Sequence, residues 1–107
     1  MIVRIWRTGV RADRVSDYEQ FARTRSLPMF RRREGCLGVL FAADAGERIV
    51  ITLWDGPESV DRLAESTEYR ETVDALSATG ILEGEQSVQV FNSTGGFVEP
   101  GITIDAF

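Results

Sequence analysis

Two tryptophans, two tyrosines, one phenylalanine and three arginines are the side chains of this sequence best suited to act on a small organic molecule. Trp54 ends an apolar run, residues 49–54, just ahead of Asp55 and a Gly-Pro turn. There its ring could stack on a flat aromatic ligand, or simply fill the space between sheet and helix. Trp6, on the first predicted strand, is either a second wall or an edge-packing residue. Tyr18 and Phe21 fall on the inner side of a predicted helix, and a buried Tyr18 hydroxyl would need a partner, which a substrate oxygen could be. Tyr69 stands one turn before Val73, where it lines a pocket mouth or staples its own helix. Arg4, Arg7 and Arg25 each pair with an acid, face solvent, or point into a pocket. In a pocket, an unpaired guanidinium would bind a phenolate or carboxylate and stabilise developing oxyanion charge. The catalytic candidates are therefore Tyr18, Arg7 and Arg25, and the substrate-binding candidates Trp54, Trp6, Tyr18, Phe21 and Tyr69.

Much other chemistry is excluded by composition. The 107 residues contain no histidine, and all 12 basic residues are arginine. Imidazole acid–base catalysis, His-based zinc sites, proximal-His haem ligation and lysine Schiff bases therefore drop out together. No carboxylate cluster suggests a metal site, and Gly95-Gly96 has neither a lysine nor a helix after it to cradle phosphate. Net charge is −5. It divides into nine arginines against three acids over residues 1–33 and three against fourteen over 34–107, so the halves can neutralise each other. Arg31-Arg32-Arg33 is followed by Glu34, and no basic stripe for nucleic acid emerges. No segment resembles a signal peptide or is long enough to span a bilayer, and the single cysteine, Cys36, suits a reducing cytoplasm.

The elements that must position these residues follow from periodicity. Residues 1–10 alternate as a strand, with Ile2, Arg4, Trp6 and Thr8 on one face. A helix starts near Asp13, capped by Asp13 or by the box Ser16-x-x-Glu19. Val15, Tyr18, Phe21, Ala22 and Arg25 share its inner side. Pro28 is expected to stop or kink it near Leu27, with 29–33 adding a turn. After the Glu34-Gly35 turn come a strand over Cys36–Ala43, a tight connection, and a third strand over 47–54. Pro57 suits the first turn of a second helix bearing Val60, Leu63 and Ala64. Ser66-Thr67 interrupts it and recaps a piece with Tyr69, Val73 and Leu76, and Gly80 stops that piece. The fourth strand is expected over 87–92. This order is an α+β, ferredoxin-like βαββαβ with an antiparallel four-stranded sheet.

The third strand is apolar at consecutive positions, so both faces of the sheet need cover. Helices can cover one face. A partner subunit is expected on the other, with the pocket between sheet and helices. Residues 1–92 form the domain, and 93–107 a tail expected to pack on the partner.

The strand-Trp-Asp-turn-helix segment IVITLWDGPESVDRLAESTEYRETV, with the βαββαβ order, resembles the antibiotic biosynthesis monooxygenase family of dimeric α/β barrels. The resemblance covers roughly residues 1–92, most specifically 53–82 and the Glu34-Gly35 turn. It implies a homodimer of face-to-face sheets with a small aromatic ligand in each subunit. The branches it spans include cofactor-free oxygenases of anthrones and quinols, haem-degrading enzymes and members with no assigned reaction; polyketide cyclases and lactone isomerases stand elsewhere in the superfamily. Position by position, the haem-degrading Trp and His fall on Leu63 and Val73. The anthrone-oxidising Asn, Tyr and Arg fall on Val50, Val60 and Val73, and the quinol-oxidising His falls near Leu63. Of the anthrone-oxidising set only the strand-end tryptophan is retained, as Trp54. The resemblance thus implies a cytoplasmic, cofactor-independent monooxygenase, an oxidoreductase, for a small electron-rich aromatic. A non-catalytic binding dimer and a cyclase or isomerase stand as alternatives.

Overall fold

The computed structural model describes residues 1–102. Strand β1 (Ile2–Val10) leads through a short 3-10 turn at Ala12–Arg14 into α1 (Val15–Phe21), which runs on through a π-helical turn, Ala22–Ser26, to α2 (Leu27–Arg31). Next come β2 (Cys36–Ala43), β3 (Arg48–Trp54), α3 (Pro57–Glu65), α4 (Thr67–Ala78) and β4 (Leu82–Asn92). The four strands form one antiparallel sheet in the order β2-β3-β1-β4, the ferredoxin-like arrangement expected from the sequence.

Register decides which side chains meet the helices. Trp6 pairs with Val50 and Val88, and Arg4 with Thr52 and Val90, so these share a face. On that face Ile2, Val50 and Trp54 pack with Met29, Phe30 and Leu63 in the main core. A second cluster joins Tyr18 to Leu76 and Ile81. Val3, Ile5, Ile51 and Leu53 fall on the opposite face, with exposed Leu40 and Phe91 beside them. Among the described residues no helix covers that face.

Local chemistry explains the joints. Asp44 Oδ1 accepts the N–H groups of Gly46 and Glu47, closing the β2–β3 hairpin. Ser66 breaks the second helical stretch with an extended backbone and accepts the Tyr69 N–H at 3.2 Å, so α4 starts on its own cap. Gly35 has φ +82, and a side chain there would meet the Ser59 Cβ at 2.6 Å. The turn joining α2 to β2 is therefore closed to other residues.

Three expectations need correction. Neither Asp13 nor Ser16 caps the first helix; Asp13 lies inside the 3-10 turn, 3.6 Å from the Arg11 guanidinium. Pro28 does not end the helix. The Leu27 N–H bonds Ala22 O, five residues back, and this widened turn lets the chain pass through the proline. Finally, β4 starts five residues earlier than expected, at Leu82. A register shift between Arg7 and Gly9 bridges a left-handed Gly84, and Gly9 lets Glu83 O approach where a Cβ would stand 2.6 Å away.

Candidate active site

A small cavity of about 40 Å³, open to solvent on one side, lies between the helices and the helix-covered face of the sheet. One stripe of α4 forms its long wall: Tyr69, Thr72, Val73 and Leu76, spaced at helical intervals. β1 supplies Arg4 and Trp6, and the neighbouring strands Val50 and Phe41. The first helical stretch closes it with Tyr18, Ser26, Met29 and Phe30. The lining is mostly aromatic and aliphatic with a few polar groups, the usual make-up of a small-molecule site.

Arg4 is the unusual member. It is 6% exposed, yet no carboxylate lies within 4.0 Å of it among the described residues. Its Nη2 donates to the Tyr69 hydroxyl at 2.6 Å, and its guanidinium carbon stands 5.3 Å from the centre of the same ring. Buried arginines are ordinarily paired with an anion. Because the Tyr69 oxygen accepts from Arg4, its own proton is left to donate elsewhere. Arg4 and Tyr69 thus offer two convergent donors with positive charge behind them, the equipment of an oxyanion site.

Tyr18 is 5% exposed, and its hydroxyl has no hydrogen-bond partner among the described residues. Burial pushes its pKa up to about 12, partly offset by the positive charge of Arg48, so at neutral pH it is a donor and not a base. Thr72 spends its hydroxyl on Glu68 O of its own helix, at 2.8 Å.

Of the candidates read from sequence, Trp6, Tyr18 and Tyr69 line the cavity, and Arg4 joins them. The others stand elsewhere. Trp54 is fully buried in the main core, its indole N–H donating to Thr52 Oγ1 at 2.8 Å, and it is not part of the cavity lining. Phe21 packs beside the Tyr18 cluster, outside the cavity lining. Arg7 lies on the opposite face of the sheet, bonded to Glu47 at 2.7 Å and to Gln89 at 3.4 Å. Arg25 is exposed, over the Phe21 ring at 5.3 Å, because the π turn starting at Ala22 takes it off the inner stripe. Sequence reasoning missed Met29, Phe30 and Phe41 as cavity walls. Phe41 could have been found from its place on the same strand face as Val50. Among the positions matched to relatives' reactive residues, Val50 and Val73 do line the cavity, whereas Leu63 is buried in the core and Val60 packs against it.

Among the described residues no group of three or more potential metal ligands exists, and no helix is long and apolar enough to cross a membrane. The Cys36 thiol is pushed up in pKa by burial, offset by its bond to Gly38 O, and is a poor nucleophile.

No protein-family model matches the chain, and no curated protein matches it in sequence. Solved structures do match its fold. A monooxygenase from the ActVA-Orf6 gene of Streptomyces coelicolor, in complex with nanaomycin D, superposes with a TM-score of 0.77 at 15% identity, over 92% of this chain and 91% of that one. SnoaB, a cofactor-independent oxygenase from Streptomyces nogalater, gives 0.71 at 17% identity over 92% and 97%. A structure of an antibiotic biosynthesis monooxygenase gives 0.73 at 14% over 89% and 100%. The resemblance read from the sequence therefore holds for the fold: this chain has the fold of antibiotic biosynthesis monooxygenase structures.

Proposed function

We propose that a chain with this fold and this cavity is a cofactor-independent monooxygenase for a small electron-rich aromatic of the quinol or anthrone type. The observation that carries the reading is Arg4, a buried guanidinium without a carboxylate, facing aromatic walls beside the Tyr69 hydroxyl. Substrates of this type react with dioxygen once deprotonated, so the protein's task is to orient the ring and stabilise the anion. For an anthrone-like methylene, loss of a proton gives an enolate whose oxygen Arg4 and Tyr69 would hold. Carbon attack on dioxygen gives a hydroperoxide, and loss of water leaves the new carbonyl. With no histidine in the chain and Tyr18 kept protonated, solvent takes the first proton, helped by a substrate pKa that Arg4 lowers.

The open apolar face of the sheet supports a homodimer in which two such faces pack together, with residues 93–107 lying on the partner. The lone cysteine supports a cytoplasmic setting. Within the described part of the tail, Phe97, Val98 and Ile102 are all exposed, as a segment awaiting cover would be; residues 103–107 lie outside the described residues.

Oxygen uptake on a panel of hydroquinones and anthrones tests the activity. Protein-dependent uptake that falls at least about tenfold in Arg4→Gln is expected, the loss of one charge-assisted contact to the reacting anion. A second reading, a dimer that binds a small molecule without reaction, is favoured by the apolar Val50 and Val73 in the cavity wall. Tight binding with no uptake would establish it. A product of unchanged mass would point to a cyclase or isomerase.

A further inference from the structure

We infer that, before any aromatic substrate enters, Arg4 and Tyr69 hold a small, planar, monovalent oxyanion in the cavity, of the size and shape of formate or nitrate. This goes beyond the oxygenase reading. The anion is a whole ligand and not the oxygen of a larger one, and its binding needs no turnover.

Arg4 is the most buried arginine described and the one worst supplied with acceptors. Arg7 reaches Glu47 at 2.7 Å, Arg33 reaches Glu68 at 3.0 Å, and Arg48 reaches Asp44 O at 3.1 Å, and all three are more exposed than Arg4. Arg4 has only the uncharged Tyr69 oxygen. A guanidinium carries N–H groups on all three nitrogens, and at Arg4 those on Nε and Nη1 meet no acceptor among the described residues. Neither nitrogen is sealed away without a partner, as Arg33 Nε and Arg48 Nε are, so both open on the cavity that Arg4 lines. A buried charge in that state ordinarily has an anion beside it.

Size, charge and shape fix the class of that anion. A cavity of about 40 Å³ has room for about three waters, hence for three or four heavy atoms in one plane. A fused ring system would have to widen it first. Arg4 is the one charged residue of the lining, so a single negative charge neutralises the site and a second would stay buried unpaired. The guanidinium fork offers parallel N–H groups that match two oxygens of a flat anion, which a spherical halide lacks. The Tyr69 hydroxyl proton, free because its oxygen accepts from Arg4, adds a third donor. The rings of Trp6, Phe30 and Phe41 keep the surroundings apolar, where such a pair is held more strongly than in water.

Sodium formate is the probe, read by the Nε–H resonances of the 12 arginines in isotope-labelled protein, with that of Arg4 identified by its loss in Arg4→Gln. The Arg4 resonance is expected to shift and saturate with a dissociation constant between about 0.5 and 20 mM, the lower figure being the ceiling for a ligand of three heavy atoms. The other arginines should move only in proportion to salt. Sodium nitrate should act as formate does, sodium chloride at least about fivefold more weakly for want of a second hydrogen bond, and sodium sulfate at matched ionic strength should give no saturation. Saturation transfer from protein to the formate proton is a second readout, and Arg4→Gln should abolish it. No saturating shift at Arg4 up to about 100 mM formate, saturation shared with the exposed arginines, or sulfate equal to formate would overturn the inference. If Arg4→Gln fails to fold, competition on the wild type decides: nitrate should displace formate and sulfate should not, and equal displacement by both overturns the site. Where oxygen uptake occurs, formate should raise KM for the aromatic and leave kcat unchanged, and an unmoved KM would place the anion elsewhere and overturn the inference too. Absence of uptake rejects the oxygenase and leaves formate binding as the test of the anion site.

Discussion

Replacing Arg4 by methionine should separate function from stability. Taking a lone guanidinium out of water costs several kcal/mol even after the protein relaxes. Against that cost stand one charge-assisted hydrogen bond to Tyr69, about 1.5–3 kcal/mol, and the contact with its ring, about 1–2 kcal/mol. These sums nearly cancel, so Arg4 does little for folding in the absence of a ligand anion. Methionine has similar reach, fills irregular space and carries no charge. Arg4→Met should therefore lie within about 1 kcal/mol of the wild type or exceed it by about 1–4 kcal/mol, as when other buried charges become apolar. Urea unfolding at one fixed protein concentration measures the difference, and a melting shift of about 4–8 °C per kcal/mol is a second readout. The same variant should lose the protein-dependent oxygen uptake. A loss of more than about 2 kcal/mol with oxygen uptake intact would show that Arg4 is a structural residue and refute the reasoning.

Three other outcomes can be stated from the same structure. Tyr18 has a folded-state pKa near 12 against an ordinary 10.0, so the fold favours its neutral form. The stability this contributes is whole below pH 10 and is lost as pH rises to 12, about 3 kcal/mol in all; a Tyr18→Phe variant should lack this alkaline limb, and urea midpoints identical to wild type across that range would contradict the account. Gly35→Ala forces a side chain into a left-handed backbone against Ser59 and should cost at least about 2 kcal/mol by denaturant melt, with no rescue from Ser59→Ala because Cβ is already too close. Ile51→Asp puts a charge in the middle of the open sheet face and should convert a dimer to monomers in sedimentation; a wild type that is monomeric at micromolar concentration removes the proposed assembly.

The fold was legible because its signals were local. The apolar run ending at Trp54, the Asp44 hairpin and the Ser66 cap each depend on residues within a few positions of one another. The start of β4 was not, since Leu82-Glu-Gly-Glu-Gln reads as polar loop and becomes strand only by pairing with Gly9 and Val10. The site was half legible. Strand alternation puts Arg4 and Trp6 on one face and Arg7 on the other, but only the packing shows which face the helices take. Trp54 illustrates the other gap. Its type suits a ligand wall as well as a core, and the decision belongs to Leu63 on the next helix and to Met29, 25 residues earlier in the sequence, which pack with it in the main core. Arg25 was misplaced for a third reason: a 3.6-residue period holds only while the helix is α, and this one changes at Ala22.

That change has a history-like corollary. A wide turn gives up good α hydrogen bonds, and an internal proline collides with the carbonyl four residues back; each defect is unfavourable alone. Here they sit side by side, and the looser winding at Ala22–Ser26 opens the room that the Pro28 ring requires. Trimming one residue from 23–25 would restore tight winding and drive the ring into its neighbour, while exchanging the proline alone would leave the slack without a purpose. Lineages descending from this sequence should therefore keep the two oddities as a pair or shed them together.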